Sequence, residues 1–86
     1  MDNGIQDIKI YTAKRCIGCR ALKLFLERMR IDYIEADIED PYALEELYRE
    51  NISDTSVPIL KIGKDFYANV DIDDQIIGIL KFHKLI

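Results

Sequence analysis

The sequence lacks the residues that several classes of protein require. It has no tryptophan, one histidine and two cysteines among 86 residues, with only two prolines and four glycines. A single pair of cysteines is not the disulfide framework of a small secreted domain, and one histidine leaves a structural zinc site short of its usual four ligands. No apolar run approaches the roughly 18 residues of a membrane span, and the glycines form no phosphate-binding loop.

The charge balance and the N-terminus exclude further classes. The net charge of −4 opposes nucleic acid as a partner, and 49% hydrophobic with 33% charged residues is typical of a folded globular chain. The first residues, Met1–Gly4, contain neither the basic nor the apolar part of a secretory signal. We therefore expect one domain over residues 1–86, located in the cytoplasm, with no membrane contact.

Hydrophobic periodicity predicts alternating strands and helices in the first half of the chain. Ile8–Tyr11 is a short β-prone run, and Tyr33–Ile38 is a second one. Between them lies a helix with an apolar face, and Asp40-Pro41 then marks the start of another. The expected apolar faces are Leu22, Phe25, Leu26 and Met29 in the first helix, and Leu44, Leu47 and Tyr48 in the second, which should end near Asn51.

The second half predicts a hairpin followed by a helix. Ile59–Ile62 and Asp65–Ala68 flank Gly63-Lys64, a pattern typical of two strands joined by a tight turn. A last helix is expected to start near Asp71, with Ile72, Ile76, Ile79 and Leu80 on one face. The order β-α-β-α-β-β-α predicts an α/β fold, a mixed four-stranded sheet flanked by three helices.

The two cysteines lie where this fold places functional sites. Cys16 and Cys19 are three residues apart, just after the first strand and at the start of the first helix. That spacing lets the two sulfurs meet across one helical turn, where backbone N–H groups and the helix dipole favour a thiolate. The pair is therefore predicted to cycle between dithiol and disulfide. Cationic neighbours act in the same direction: Lys14, Arg15, Arg20 and Lys23.

These features together resemble the thioredoxin superfamily, and within it the glutaredoxins. The resemblance rests on Ile10-Tyr11-Thr12, on Cys16-Ile17-Gly18-Cys19, and on Thr55-Ser56-Val57-Pro58 about forty residues later. It covers nearly the whole chain, from about Ile8 to Ile79, and implies a thioredoxin-like fold. The implied activity is that of a thiol–disulfide oxidoreductase, an electron carrier that reduces protein or glutathione mixed disulfides.

The resemblance also implies residue roles. Cys16 would be the nucleophile and Cys19 the resolving thiol that releases the reduced substrate. Pro58 would follow a cis peptide bond, and the backbone of Val57 would pair with an extended substrate. With Lys14 and Arg15, the other residues expected at the substrate are Tyr67 and Asp71, the latter as an acidic contact or simply a helix cap.

Some positions depart from the family pattern. Tyr67-Ala68 stands where glutaredoxins have two glycines, and Asp54 stands where a basic residue is common. Both changes oppose a ligand with two carboxylates, such as glutathione.

The electron donor thus has two alternatives, glutathione or a thioredoxin-reductase-type flavoprotein. We expect a monomer that acts on disulfide-bearing proteins, without a tightly bound cofactor or metal, and with glutathione as a candidate co-substrate. One alternative is a metal-binding module, either a zinc site using His83 or a dimer holding an iron–sulfur cluster through Cys16. Another is a redox-silent interaction domain.

Overall fold

The computed structural model describes residues 7–86, and it contains the seven elements expected from the sequence, in the expected order. The strands are β1 (Ile8–Thr12), β2 (Ile34–Asp37), β3 (Ile59–Ile62) and β4 (Asp65–Tyr67), and the helices are α1 (Ile17–Arg28), α2 (Pro41–Arg49) and α3 (Asp74–Phe82). The N-terminal positions predicted to carry no signal, Met1–Gly4, lie outside the described residues.

The four strands form one mixed sheet in the order β2-β1-β3-β4. β1 and β2 are parallel, as expected for strands joined through α1, whereas β3 is antiparallel to both β1 and β4. Gly63 opens the two-residue turn between β3 and β4 with a φ of 60°, a conformation that glycine adopts without steric cost. The fold class predicted from the sequence is confirmed.

Alternation along β1 divides the core between the two faces of the sheet. Ile8 and Ile10 pack with residues of α1 and α3, while Tyr11 packs with Ala43 and Leu47 of α2. The structure is therefore three-layered, with two helices on one face and one on the other. Within residues 7–86, the longest helix is the 12-residue α1, and no helix combines the length and apolarity needed to cross a bilayer.

One local prediction about α2 and one about α3 were wrong. The buried face of α2 consists of Ala43 and Leu47, whereas Tyr48 is 65% exposed. Ala43 and Leu47 are four residues apart and therefore share one face of the helix, and Tyr48 lies beside that face. The last helix begins at Asp74 and not at Asp71. Asp73 caps it by accepting a hydrogen bond from the Gln75 N–H at 2.8 Å, which leaves Ile72 outside the helix.

The prediction that the apolar face of α1 extends to Met29 was also wrong. Met29 is 40% exposed and forms the C-cap of α1, so it contributes little to the core. Leu22 and Leu26 are fully buried, as predicted.

Candidate active site

Cys16 is the N-cap of α1. Its backbone is extended, with φ −100° and ψ 105°, and its Sγ atom accepts a hydrogen bond from the Cys19 N–H at 3.0 Å. Serine, threonine or aspartate usually supplies this acceptor, so here a sulfur satisfies one of the free N–H groups at the helix start. The same N–H and the helix dipole stabilise negative charge on that sulfur once the pair is reduced.

The two cysteines are joined as a disulfide and differ in accessibility. Their Cα atoms are 5.2 Å apart, within the usual range for a disulfide. Cys16 is half-buried, whereas Cys19, one turn deeper, is only 2% exposed. An external molecule therefore reaches Cys16 before it can reach Cys19.

The residue before Cys16 has an unusual backbone conformation. Arg15 lies in the left-handed region with a φ of 59°, which costs a non-glycine residue about 1–2 kcal/mol. This conformation completes the turn between β1 and α1 and sets the direction in which the chain enters the helix. Lys14 and Arg15 are both exposed in that turn.

Pro58 lies against the first turn of α1. The Val57–Pro58 peptide bond is cis, as predicted, and a Cβ atom added to Gly18 would be 3.4 Å from Pro58 Cδ. Pro58 is buried and Val57 half-buried. The Val57-Pro58 segment is therefore adjacent to the cysteine motif, although the two are about forty residues apart in sequence.

Backbone hydrogen bonds join this segment to the loop before α3. The Ser56 carbonyl accepts from the Asn69 N–H at 2.9 Å, and the Pro58 carbonyl accepts from the Val70 N–H at 3.1 Å. The intervening Val57 makes no backbone hydrogen bond to any residue within 7–86. Its N–H and carbonyl are therefore available to an extended ligand beside the disulfide.

Both of these loops contain an aspartate. Asp54 accepts from the Ser56 N–H at 3.0 Å, and hydrogen bonding by Ser56 lowers the pKa of this carboxyl. Asp71 is exposed two residues after Asn69, and its N–H donates to Gln75 Oε1 at 3.0 Å. Each of these two loops thus carries an exposed aspartate.

Of the four cations predicted to stabilise the thiolate, one is paired with a carboxylate in the described part of the chain and three are not. Lys23 forms an ion pair with Glu35 at 3.1 Å. Hydrogen bonding from Thr12 contributes most to the lowered pKa of that carboxyl, against a smaller opposing effect of burial, and Lys23 adds to the lowering. The other three are exposed and form no ion pair within residues 7–86: Lys14, Arg15 and Arg20.

Tyr67 contacts the C-terminal end of α3 through its hydroxyl. The hydroxyl is 2.8 Å from Nε2 of His83 at the end of α3, and the two rings meet edge to face. Burial raises the pKa of Tyr67. Its ring packs on the core between the sheet and α1/α3, so a contact with substrate remains a prediction.

The zinc ligands considered from the sequence are not brought together. His83 lies beside Tyr67 and Asp65, and no three metal-binding side chains cluster anywhere in the described part of the chain.

Ile17 lies between the two cysteines and was not predicted as a site residue, but its side chain is 83% exposed. Its position outside the apolar stripe of α1 was the available signal.

This fold and this helix-capping disulfide define a thiol–disulfide exchange protein with a thioredoxin-like architecture. A family model described as Glutaredoxin matches residues 8–67, more than half of the chain. The protein therefore belongs to the glutaredoxin family and is a thiol–disulfide oxidoreductase.

Solved structures show the same fold at low sequence identity. The thioredoxin-like protein BC3987 is 24% identical, with a TM-score of 0.67 over 93% of this chain and 100% of that one. NrdH-redoxin from Escherichia coli is 22% identical, with a TM-score of 0.66 over 86% of this chain and 93% of that one. Thioredoxin O2 from Arabidopsis thaliana is 18% identical, with a TM-score of 0.63 over 94% and 76%. No curated protein sequence matches the chain significantly.

Proposed function

We propose that the protein reduces disulfides in other proteins and is recharged by a thioredoxin-reductase-type flavoprotein. The observation that carries the proposal is the arrangement of the two sulfurs: Cys16 is accessible and caps α1, while Cys19 is buried one turn along. One sulfur is suited to attack from outside, and the other to resolve the intermediate.

The reaction takes two exchange steps. The Cys16 thiolate attacks one sulfur of the substrate disulfide, and the other substrate sulfur leaves as a thiolate that takes up a proton. The Cys19 thiolate then attacks Cys16 and releases the second substrate thiol. Two electrons pass from the dithiol to the substrate, leaving the Cys16–Cys19 disulfide seen in the structure.

Charge around the loops supports the choice of electron donor. Glutathione carries two carboxylates, and the exposed carboxylates of Asp54 and Asp71 lie on the two loops joined by the Ser56–Asn69 hydrogen bond. A related fold also offers a precedent, since the solved NrdH-redoxin is described as a glutaredoxin-like protein with a thioredoxin-like activity profile. Glutathione remains the alternative co-substrate.

The electron donor can be tested by coupled turnover. NADPH oxidation would be followed with insulin as the substrate, using either a bacterial thioredoxin reductase or glutathione with its reductase. We expect sustained turnover with the first system, at least about tenfold faster than with the second. The Cys16→Ser variant is the control and should be inactive in both. Equal or faster turnover with glutathione would show that the acidic loops do not exclude it.

We further propose that the protein acts as a monomer in the cytoplasm, without a tightly bound cofactor. Both reacting sulfurs come from one chain, and a closely spaced cysteine pair is suited to a reducing compartment. Size-exclusion chromatography would test the monomeric state, and the visible absorbance of the purified protein would test the absence of a coloured cofactor.

A further inference from the structure

Ile17 is an exposed apolar side chain at the reacting centre. It occupies the first position of α1, directly after Cys16, and 83% of its surface is exposed. No other large hydrophobic side chain in the described part of the chain is more exposed. Its accessibility therefore exceeds that of the neighbouring Cys16 itself, which is half-buried.

Local folding does not account for an isoleucine at this position. A β-branched residue has a lower helix propensity than alanine, leucine or glutamate. Ile17 also lies outside the buried stripe of α1, whose fully buried members are Leu22 and Leu26, and belongs to neither core cluster. Exposed single hydrophobic residues are common on protein surfaces, so the location next to Cys16 is the informative feature.

The Val57-Pro58 segment lies beside the turn of α1 that begins with Ile17. The following residue, Gly18, lies against the ring of Pro58, and half-buried Val57 comes just before that proline. Val57 also has a free backbone N–H and carbonyl with respect to residues 7–86. A chain segment that reaches Cys16 can therefore meet backbone groups at Val57 and an apolar side chain at Ile17.

We propose that Ile17 is a specificity residue that selects protein disulfides flanked by an apolar side chain. This inference rests on the proposed reduction of protein disulfides and names the substrate class more closely. Docking brings the substrate sulfur to Cys16, so the residue next to that sulfur is placed beside Ile17 and covers it. A small disulfide such as bis(2-hydroxyethyl) disulfide has no side chain to make this contact.

The size of the effect follows from the surface removed from water. Complete burial of an isoleucine side chain is favourable, by a free energy equivalent to a factor of about ten to a hundred in rate. Docking on one side covers only part of the side chain. We therefore expect Ile17→Ser to lower the rate constant for a protein disulfide about tenfold, equivalent to about 1.4 kcal/mol.

A single-turnover experiment tests this without any recharging enzyme. Pre-reduced protein would be mixed with insulin or with bis(2-hydroxyethyl) disulfide, quenched with acid, and its remaining dithiol measured by mass spectrometry. Ile17→Ser should reduce the insulin rate about tenfold more than the small-disulfide rate, and Ile17→Val should recover most of the loss. Ile34→Ser is the matched control, because Ile34 is 64% exposed on β2, away from the cysteines, and both rates should stay within about twofold.

Each result separates the specificity role from a structural one. An equal fall for both substrates, or a shift in the dithiol–disulfide equilibrium against dithiothreitol, would mean that Ile17 acts on the helix start, and would overturn the inference. No fall with insulin would also overturn it. If wild-type protein reduces only the small disulfide, the proposed protein-disulfide function itself fails.

Discussion

Replacing Glu46 by glutamine is expected to weaken the junction between α2 and the sheet. Its Oε1 accepts a hydrogen bond from Lys9 Nζ at 2.6 Å and from the Tyr11 hydroxyl at 2.7 Å. Its Oε2 accepts from Lys61 Nζ at 3.2 Å. One carboxylate of α2 thus holds β1 and β3 together, and it satisfies the hydroxyl of a tyrosine that is fully buried.

The pKa of Glu46 gives the upper limit of this stabilisation. Burial would raise it, but hydrogen bonds from the two lysines and the tyrosine outweigh burial and hold it at about 2, against an ordinary 4.5. At about 1.4 kcal/mol per pH unit, that difference corresponds to about 3.5 kcal/mol. Because the Glu46 side chain is 31% exposed, solvent screening reduces the expected value to about 1–2 kcal/mol.

The pH dependence has a definite sign. A carboxyl whose pKa is lower in the folded than in the unfolded state stabilises the fold above the unfolded value, and this contribution is lost as the pH falls. For Glu46 the loss should occur between about pH 5 and pH 2. Urea denaturation should therefore show Glu46→Gln less stable by about 1–2 kcal/mol at pH 7, with the gap from wild type roughly halved at pH 3.

Glu45→Gln is the matched control on the same helix. Glu45 pairs with Arg49 at 3.1 Å, but the two side chains are 57% and 72% exposed, so the change should stay within about 0.5 kcal/mol. Equal effects of the two substitutions, or a gap from wild type that does not narrow at pH 3, would refute the role assigned to Glu46.

Three further predictions concern α3 and the cysteines. Gly78→Ala should raise the free energy of unfolding by about 0.5–1 kcal/mol in urea denaturation, because no atom beyond the adjacent residues and the local helix backbone lies within 4 Å of the added Cβ; a loss of stability would contradict this. Cys19→Ser should accumulate a covalent adduct on Cys16 under mild oxidation, seen as added mass, and its absence would remove the nucleophile assignment. The rate of alkylation of reduced Cys16 at pH 6 should fall less than about threefold between 0.01 and 1 M salt. A larger fall would show that exposed cations, rather than the helix start, stabilise the thiolate.

The order of elements and the redox pair were predictable because both depend on local patterns. Periodicity along β1 and α1, the turn at Gly63 and the three-residue cysteine spacing each involve neighbours in sequence. The cis bond before Pro58 came from a family resemblance and is confirmed in the structure. The start of α3 was wrong because three nearby aspartates can each cap a helix, and only the fold selects Asp73.

Contacts between distant residues were not predictable from such patterns. Lys9 and Glu46 are 37 positions apart, and nothing in either neighbourhood indicates that a helix carboxylate meets two strands. The face of α2 was missed for a related reason, because alanine gives only a weak hydrophobic signal even where it is buried, as Ala43 is. The Lys23–Glu35 pair likewise forms only when β2 aligns with β1 and α1.

That ion pair changes which groups can stabilise the reactive sulfur. Of the four cations near the motif, Lys23 is paired with Glu35, and the remaining three are exposed, where salt weakens their interaction with other charges. The hydrogen bond from the Cys19 N–H to Cys16 Sγ is short, fixed by the helix and insensitive to screening. The helix start should therefore contribute more to the thiolate than the basic side chains do. The remaining three basic side chains, Ile17 and the aspartates of the two loops are all exposed at the surface.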